Sequence, residues 1–164
     1  MKLRPYRGGE DFDRIAAWIA DERTHALWCA GRFPWPLTPE GFEGKLRELA
    51  EKNGDCPLVA VTEMGDAAGF LCWSPGPAAG EGKLKFVVVD PARRGRGIGR
   101  EMVSLAAAYG KARGAETVRL SVFSCNASAL RCYARAGFVT QSVTEGAFPF
   151  GEETWGRCDM TLRL

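Results

Sequence analysis

The order of elements along these 164 residues predicts a single α/β (α+β) domain of about seven strands and about four helices. Two observations carry most of this. Val87-Val88-Val89 is a β-branched run ended by Asp90-Pro91, and a basic glycine turn then leads into a helical stripe of Ile98, Met102, Leu105, Ala106 and Tyr109. Among the last residues, Cys158, Met160, Leu162 and Leu164 alternate with Arg157, Asp159, Thr161 and Arg163, the period-two mark of a half-buried strand. Strands and helices come in mixed order without repeat, low-complexity tract or linker, so residues 1–164 read as one domain.

Lys2 to Tyr6 predicts a short first strand. Phe12, Ile15, Ala16 and Ile19 fall at helical spacing and predict a helix from about Gly9 to Glu22. Trp28, Phe33 and Trp35 follow in a proline-punctuated segment ending at Pro36. Thr38 and Pro39 are an N-cap and first helical residue, and Phe42, Leu46 and Leu49 are the stripe of a second helix that stops at Asn53-Gly54. Pro57 to Glu63 and Ala68 to Ser74 read as a hairpin turning at Gly65-Asp66. A loop rich in Gly, Pro and Ala, Pro75 to Gly82, leads into the strand Leu84 to Val89. The third helix ends before Gly114, and Val118, Leu120 and Val122 then alternate with Arg119 and Ser121 as a further strand. Asn126 caps a fourth helix with the stripe Leu130, Tyr133 and Ala134, closed by Gly137. Phe138 to Val143 is the strand before the last.

Composition narrows the function classes. Hydrophobic content of 46% and charged content of 26% suit a soluble globular protein, and a net charge of +2 gives no global signal for nucleic acid or an anionic membrane. No apolar run reaches the roughly 18 residues of a membrane helix, and Met1 to Arg7 lacks the apolar core of a signal peptide. Six cysteines contain no C-x-x-C pair, and the single histidine, His25, leaves no zinc pattern. Reduced thiols and a cytoplasmic location are the expectation.

Strand, glycine turn and helix start together form an arrangement that holds a phosphate, because the glycines let the backbone approach an anion and the first helical N–H groups have no partner inside the helix. The dinucleotide fingerprint has a different glycine spacing, and Gly99-Arg100-Glu101 does not supply the lysine and hydroxyl of a nucleotide P-loop. A solvated basic turn stays open as the plainer reading.

Two blocks resemble the GNAT superfamily of acetyl-CoA-dependent N-acetyltransferases. Arg94-Gly95-Arg96-Gly97-Ile98-Gly99 matches its phosphate signature without a gap. Asn126-Ala127-Ser128-Ala129-Leu130-Arg131-Cys132-Tyr133-Ala134-Arg135-Ala136-Gly137-Phe138 looks like the family's second signature at the expected distance. The likeness covers residues 84 to 140, while residues 1 to 80 match only in the order of elements. It implies a mixed, mostly antiparallel sheet whose central strands splay at the CoA site. It implies further that amides from Gly95 through Arg96, Gly97, Ile98 and Gly99 to Arg100, with Arg94, hold the CoA pyrophosphate. The edge of Val87, Val88 and Val89 would pair with the pantetheine arm.

The remaining roles follow the same resemblance. Asn126 is a cofactor contact or a plain helix cap. Tyr133 is the general acid that protonates the leaving thiolate, with a core role as its rival. Trp28, Phe33 and Trp35 line the acceptor pocket or simply lid the core. The base is open: family members often carry a glutamate on the strand before the glycine turn, but Lys83 to Val89 holds no carboxylate. Glu81 at the strand entrance, His25 and a water chain are the alternatives. The expected activity is direct acetyl transfer from acetyl-CoA, without a covalent adduct or a metal, to the primary amine of a small molecule or peptide. A homodimer stays open as an assembly. A covalent relay through Cys125 or Cys132, a catalytically inactive CoA-binding module and a nucleic-acid binder using Arg93, Arg94, Arg96 and Arg100 are the competing readings.

Overall fold

The computed structural model describes residues 1–164. Seven strands form one sheet in the order β1-β2-β3-β4-β5-β7-β6, with β1 at Lys2–Pro5, β2 at Cys56–Val61, β3 at Ala67–Pro75, β4 at Glu81–Val89, β5 at Thr117–Phe123, β6 at Val139–Phe150 and β7 at Glu153–Arg163. Every neighbouring pair is antiparallel except β4 and β5. The sheet therefore has the mostly antiparallel, mixed character expected from the resemblance.

Five helices cover the two faces: α1 at Gly9–Trp18, α2 at Glu22–Cys29, α3 at Pro39–Asn53, α4 at Ile98–Lys111 and α5 at Ala127–Arg135. The count exceeds the expected four because the helix read over Gly9 to Glu22 ends at Trp18. The Asp21 side chain then accepts from the Thr24 amide at 2.7 Å and starts a new helix in the segment read as an aromatic loop. The buried residues of α2, His25, Ala26 and Cys29, are small or polar, so no apolar stripe announced it. Other ends follow their expected caps: Thr38 accepts from the Gly41 amide at 3.1 Å, and Gly54 closes α3 at φ 68°. The strand read as Phe138 to Val143 is longer, because β6 runs on to Phe150 and forms a hairpin with β7.

The sheet buries both sides, with two cores of almost equal size. On one face sixteen buried residues, including Leu84, Met102, Val118, Leu120, Tyr133 and Met160, pack under α4 and α5. On the other, fifteen, including Phe12, Phe33, Phe42, Phe70, Phe86 and Val88, pack under α1, α2 and α3. Leu84 belongs to the first core, and Phe86 and Val88 to the second, so the alternation along β4 changes phase between them. The cause is a β-bulge. Phe70 pairs with Val88 but Cys72 pairs with Lys85, leaving one extra residue on β4, and Phe86 adopts φ 54°.

Candidate active site

β4 and β5 are paired only where Glu81, Gly82 and Lys83 meet Thr117, Val118 and Arg119. Beyond that the two strands part, and β4 from Leu84 to Val89 has no strand neighbour on its β5 side. The result is a fork in the middle of the sheet, open toward the glycine turn. Its β4 edge presents main-chain groups to whatever enters, and a chain of amides could pair there as an added strand would. Val87 and Val89 lean on the α4 side and Val88 lies in the opposite core.

The glycine turn sits at the mouth of this fork. Asp90 caps a short 3-10 turn, Pro91–Arg93, by accepting from the Ala92 amide at 2.9 Å. Gly95 and Gly97 then take φ of 76° and 81°, which orients successive amides outward, and a Cβ at either position would meet nothing. No amide from Gly95 to Arg100 donates to another backbone group, and the ladder of α4 begins only with Glu101 bonding to the Gly97 carbonyl at 3.0 Å. This is a concave row of donors at a helix start, suited to a pyrophosphate. Gly99 lets the row close on the fork, since a Cβ there would lie 3.0 Å from Cys132 Sγ and 3.5 Å from a Val89 methyl. Arg94 donates from Nε to the Val89 carbonyl at 3.2 Å, while Arg96 and Arg100 are exposed. Arg93 is engaged by Asp66 and Asp90. The residues present thus fit the phosphate end of CoA and, along the open edge, its amide-bearing arm.

Tyr133 lies in α5, 8% exposed, with its ring 6.1 Å from that of Phe138. Its hydroxyl makes no hydrogen bond, yet Asp55 Oδ2 is the one fully buried side-chain oxygen or nitrogen without a partner, so the phenol oxygen is not sealed off completely. Burial pushes the phenol well above its ordinary range. Asn126 caps α5, its oxygen accepting from the Ala129 amide at 3.2 Å and from the Ser128 hydroxyl at 3.2 Å, which leaves its side-chain NH2 uncommitted.

The structure does not bring Glu81 to Tyr133. Glu81 stands at the closed end of the fork, five residues before the bulge and so about 16 Å along the strand. Its carboxylate is joined to Arg119, on the face opposite α5. It also borders a cavity of about 420 Å³ walled by Trp73, the Pro75 to Gly80 loop and Arg113, at the other end of β4 from the glycine turn. That hollow is distant from both signature blocks and is no part of the site. His25 is 3% exposed, with Nε2 3.3 Å from Cys29 Sγ, and burial lowers its pKa.

The three aromatics separate. Phe33 is 1% exposed and stacks on Trp28 at 4.8 Å. Trp28 is half-buried, and its Nε1 donates to the Phe86 carbonyl at 2.9 Å, so it fastens α2 to the bulge of the open strand. Trp35 alone shows a substantial face to solvent, with its ring 5.0 Å from that of His25.

Sequence reasoning passed over two features of the site. The bulge at Phe86 left no mark, because phenylalanine does not advertise a positive φ. The polar face beside the fork did leave one: Lys83, Arg119, Ser121, Arg157 and Asp159 are the charged and hydroxyl partners in alternating strands. The Ser121 hydroxyl donates to Asp159 Oδ1 at 2.6 Å, while Ser142 and Arg157 reach Asp159 Oδ2 at 3.3 and 3.2 Å.

Comparison with known proteins agrees with this geometry. The family model described as acetyltransferase (GNAT) family matches residues 14–138. The chain is 33% identical over 123 residues to glucosamine 6-phosphate N-acetyltransferase 1 of Oryza sativa subsp. japonica, covering 69% of this chain and 71% of that one. It is 31% identical over 146 residues to a mycothiol acetyltransferase of Kytococcus sedentarius, covering 87% of this chain but only 47% of that longer protein. Over 106 residues it is 39% identical to the streptothricin acetyltransferase of Streptomyces lavendulae, 54% of whose length it spans. In structure it resembles the spermidine N-acetyltransferase of Vibrio cholerae solved with CoA and spermine, at a TM-score of 0.82 and 16% identity over 99% of this chain and 94% of the other. At that identity the likeness shows the fold alone. With its forked sheet, its row of free amides and a family match over most of its length, the chain belongs to the GNAT family of acetyltransferases.

Proposed function

We propose that the protein transfers the acetyl group of acetyl-CoA to the primary amine of a small molecule or peptide by direct attack. The observation that carries this is the row of unpaired amides from Gly95 to Arg100 at the mouth of a fork whose β4 edge is open. Acetyl-CoA supplies an activated thioester. The amides from Gly95 to Arg100, with the charges of Arg94, Arg96 and Arg100, hold its pyrophosphate. Val87, Val88 and Val89 orient the arm, with Asn126 contributing its free NH2. Tyr133, reaching the fork from the α5 side, gives its proton to the departing sulfur. Its phenol is raised by burial, and a thiolate held in the same apolar slot is raised for the same reason, which keeps the two matched for transfer.

The amine approaches from the opposite face, below α2, where Trp28 shapes the wall, backed by Phe33 in the core, and Trp35 the rim. Glu81 can take the amine's proton only across intervening water, because Arg119 holds its carboxylate at the fork's closed end. No helix is long and apolar enough to cross a membrane. A cytoplasmic setting is supported by all six cysteines being unpaired.

Release of free thiol from acetyl-CoA across a panel of amines tests the proposal. Turnover on at least one amine is expected, and tight CoA binding without turnover on any would replace it with an inactive CoA-binding module.

A further inference from the structure

The face of the fork opposite Tyr133 carries an excess of positive charge that the protein leaves unanswered. Lys83 is the last β4 residue paired with β5, so its side chain stands at the apex of the fork, on the same face as Glu81, Arg119, Ser121 and Asp159. It is half-buried yet forms no salt bridge or hydrogen bond, unlike Lys85 two residues on, which is 2.7 Å from Asp55. Arg32, on the loop after α2, and Arg157 of β7 are the cations that act on it most directly besides Lys85. The one acid near Lys83 is Asp159, and its oxygens are already taken by Ser121, Ser142 and Arg157. Of the other acids on this face, Glu81 is neutralised by Arg119 and Asp55 is joined to Lys85. Lys83 and the Arg32 guanidinium are thus left without a carboxylate of their own, since Asp159 is shared with Arg157 and Glu81 with Arg119. A half-buried ammonium so placed costs stability that an anion would relieve.

We propose that this face is an anion subsite in which Lys83, Arg32 and Arg157 bind an oxyacid group, carboxylate or phosphate, that the acceptor carries beside its amine. The inference rests on the transferase reading for the word acceptor. The placement suits the chemistry. The fork apex lies on the face from which the amine arrives, so an acid group held there turns the amine toward the bulge and its thioester. The same charge repels polyamines and leaves the incoming amine's ammonium easier to deprotonate. Burial, followed by repulsion from Arg32 and Lys85, holds the Lys83 ammonium below the usual lysine value, and a bound anion would return it upward.

Matched acceptors test the assignment: glucosamine 6-phosphate against glucosamine, phenylalanine against phenylalaninamide, and spermidine as a polycation. The acidic member of at least one pair is expected to have the higher kcat/KM by about 10- to 100-fold, the range of a hydrogen bond to a charged group. Preference within the first pair identifies a phosphate, within the second a carboxylate. Lys83→Met should collapse that ratio to about one through KM, and Lys83→Arg should retain it. Equal rates within both pairs, or a preference for spermidine, overturns the assignment. A second measurement stands apart from turnover: inorganic phosphate added to the CoA-saturated protein should raise its Tm in wild type and not in Lys83→Met. No rise in wild type, or the same rise in the variant, also overturns it. Phosphate binding that depends on Lys83, with no amine acetylated, would count against the transferase reading and leave the subsite standing.

Discussion

Removing one oxygen from Tyr133 separates chemistry from packing. The hydroxyl has no hydrogen-bond partner in the protein, so Tyr133→Phe leaves no orphaned group behind, and its ring keeps the contact with Phe138. Stability should change by less than about 1 kcal/mol, whereas Tyr133→Ala would open a cavity costing about 3–5 kcal/mol in the core under α4 and α5. CoA affinity, measured by calorimetry, should be nearly unchanged, because the row from Gly95 to Arg100 is intact. Turnover should fall by roughly 10²–10⁴-fold, or about 2.7–5.5 kcal/mol of transition-state stabilisation, with kcat and kcat/KM reduced alike. The pH profile supplies a second check. Burial raises the phenol, so it stays protonated and active as a donor through neutral pH and loses that role only above about pH 10. Thiol release followed at saturating acceptor across pH gives both numbers. A Phe variant with near-normal kcat returns Tyr133 to the core and refutes the assignment. So does an alkaline limb well below pH 10 that disappears in the variant.

Gly97→Glu should abolish measurable CoA binding by calorimetry in a folded protein, since an acidic side chain would enter the open space above the amide row. Gly110→Ala should destabilise by about 3 kcal/mol, lowering Tm by roughly 6–12 °C in calorimetric scanning, because a Cβ there falls 2.0 Å from Trp73 and Gly82 blocks the ring's retreat on the other side. Asp11 accepts from Arg4 at 2.6 and 2.7 Å and from the Arg7 amide at 2.8 Å. Burial draws its carboxyl up, but these bonds outweigh it and leave it below the ordinary aspartate value. The unfolded state therefore binds the proton more readily, and the stabilisation is complete above about pH 4 and lost as pH falls through the lower folded value. Asp11→Asn should cost about 2 kcal/mol in denaturant unfolding at neutral pH, and the gap to wild type should close toward about pH 2.

The glycine turn was readable because its chemistry is backbone chemistry. Gly95, Gly97 and Gly99 stand where a positive φ or a close approach requires them, and residue type alone reports that. Asn126 and Tyr133 were legible for a related reason, through a cap and a stripe at fixed spacing on α5. The proposed acceptor side was less so. Its residues stand on α2, β4, β5 and β7, which meet only through sheet order, and no local pattern places Lys83 beside Asp159 or Trp28 over Phe86. Helix α2 shows the limit most plainly. Its buried residues mix a histidine, an alanine and a cysteine, and its half-buried tryptophan serves as a hydrogen-bond donor as well as an apolar wall.

Mechanically, the sheet is two wings hinged at Glu81 to Lys83, and α2 is the strut between them. One side is fastened to the first wing by the Trp28 indole on the Phe86 carbonyl. The opposite side rests on the second wing, where Ala26 packs with Phe123 and Trp155. The Arg23–Glu153 pair beside that contact is about half exposed on both sides and adds little, so apolar packing sets its strength. The width of the slot is thus governed by a two-turn helix and not by the strand ladder. Amides of α2 should exchange with solvent faster than those of β3 or β4, since a helix so short has few bonds of its own to hold it. In such a frame, widening the slot requires that the strut yield, and with it the packing of Cys29 and Trp28 in the second core.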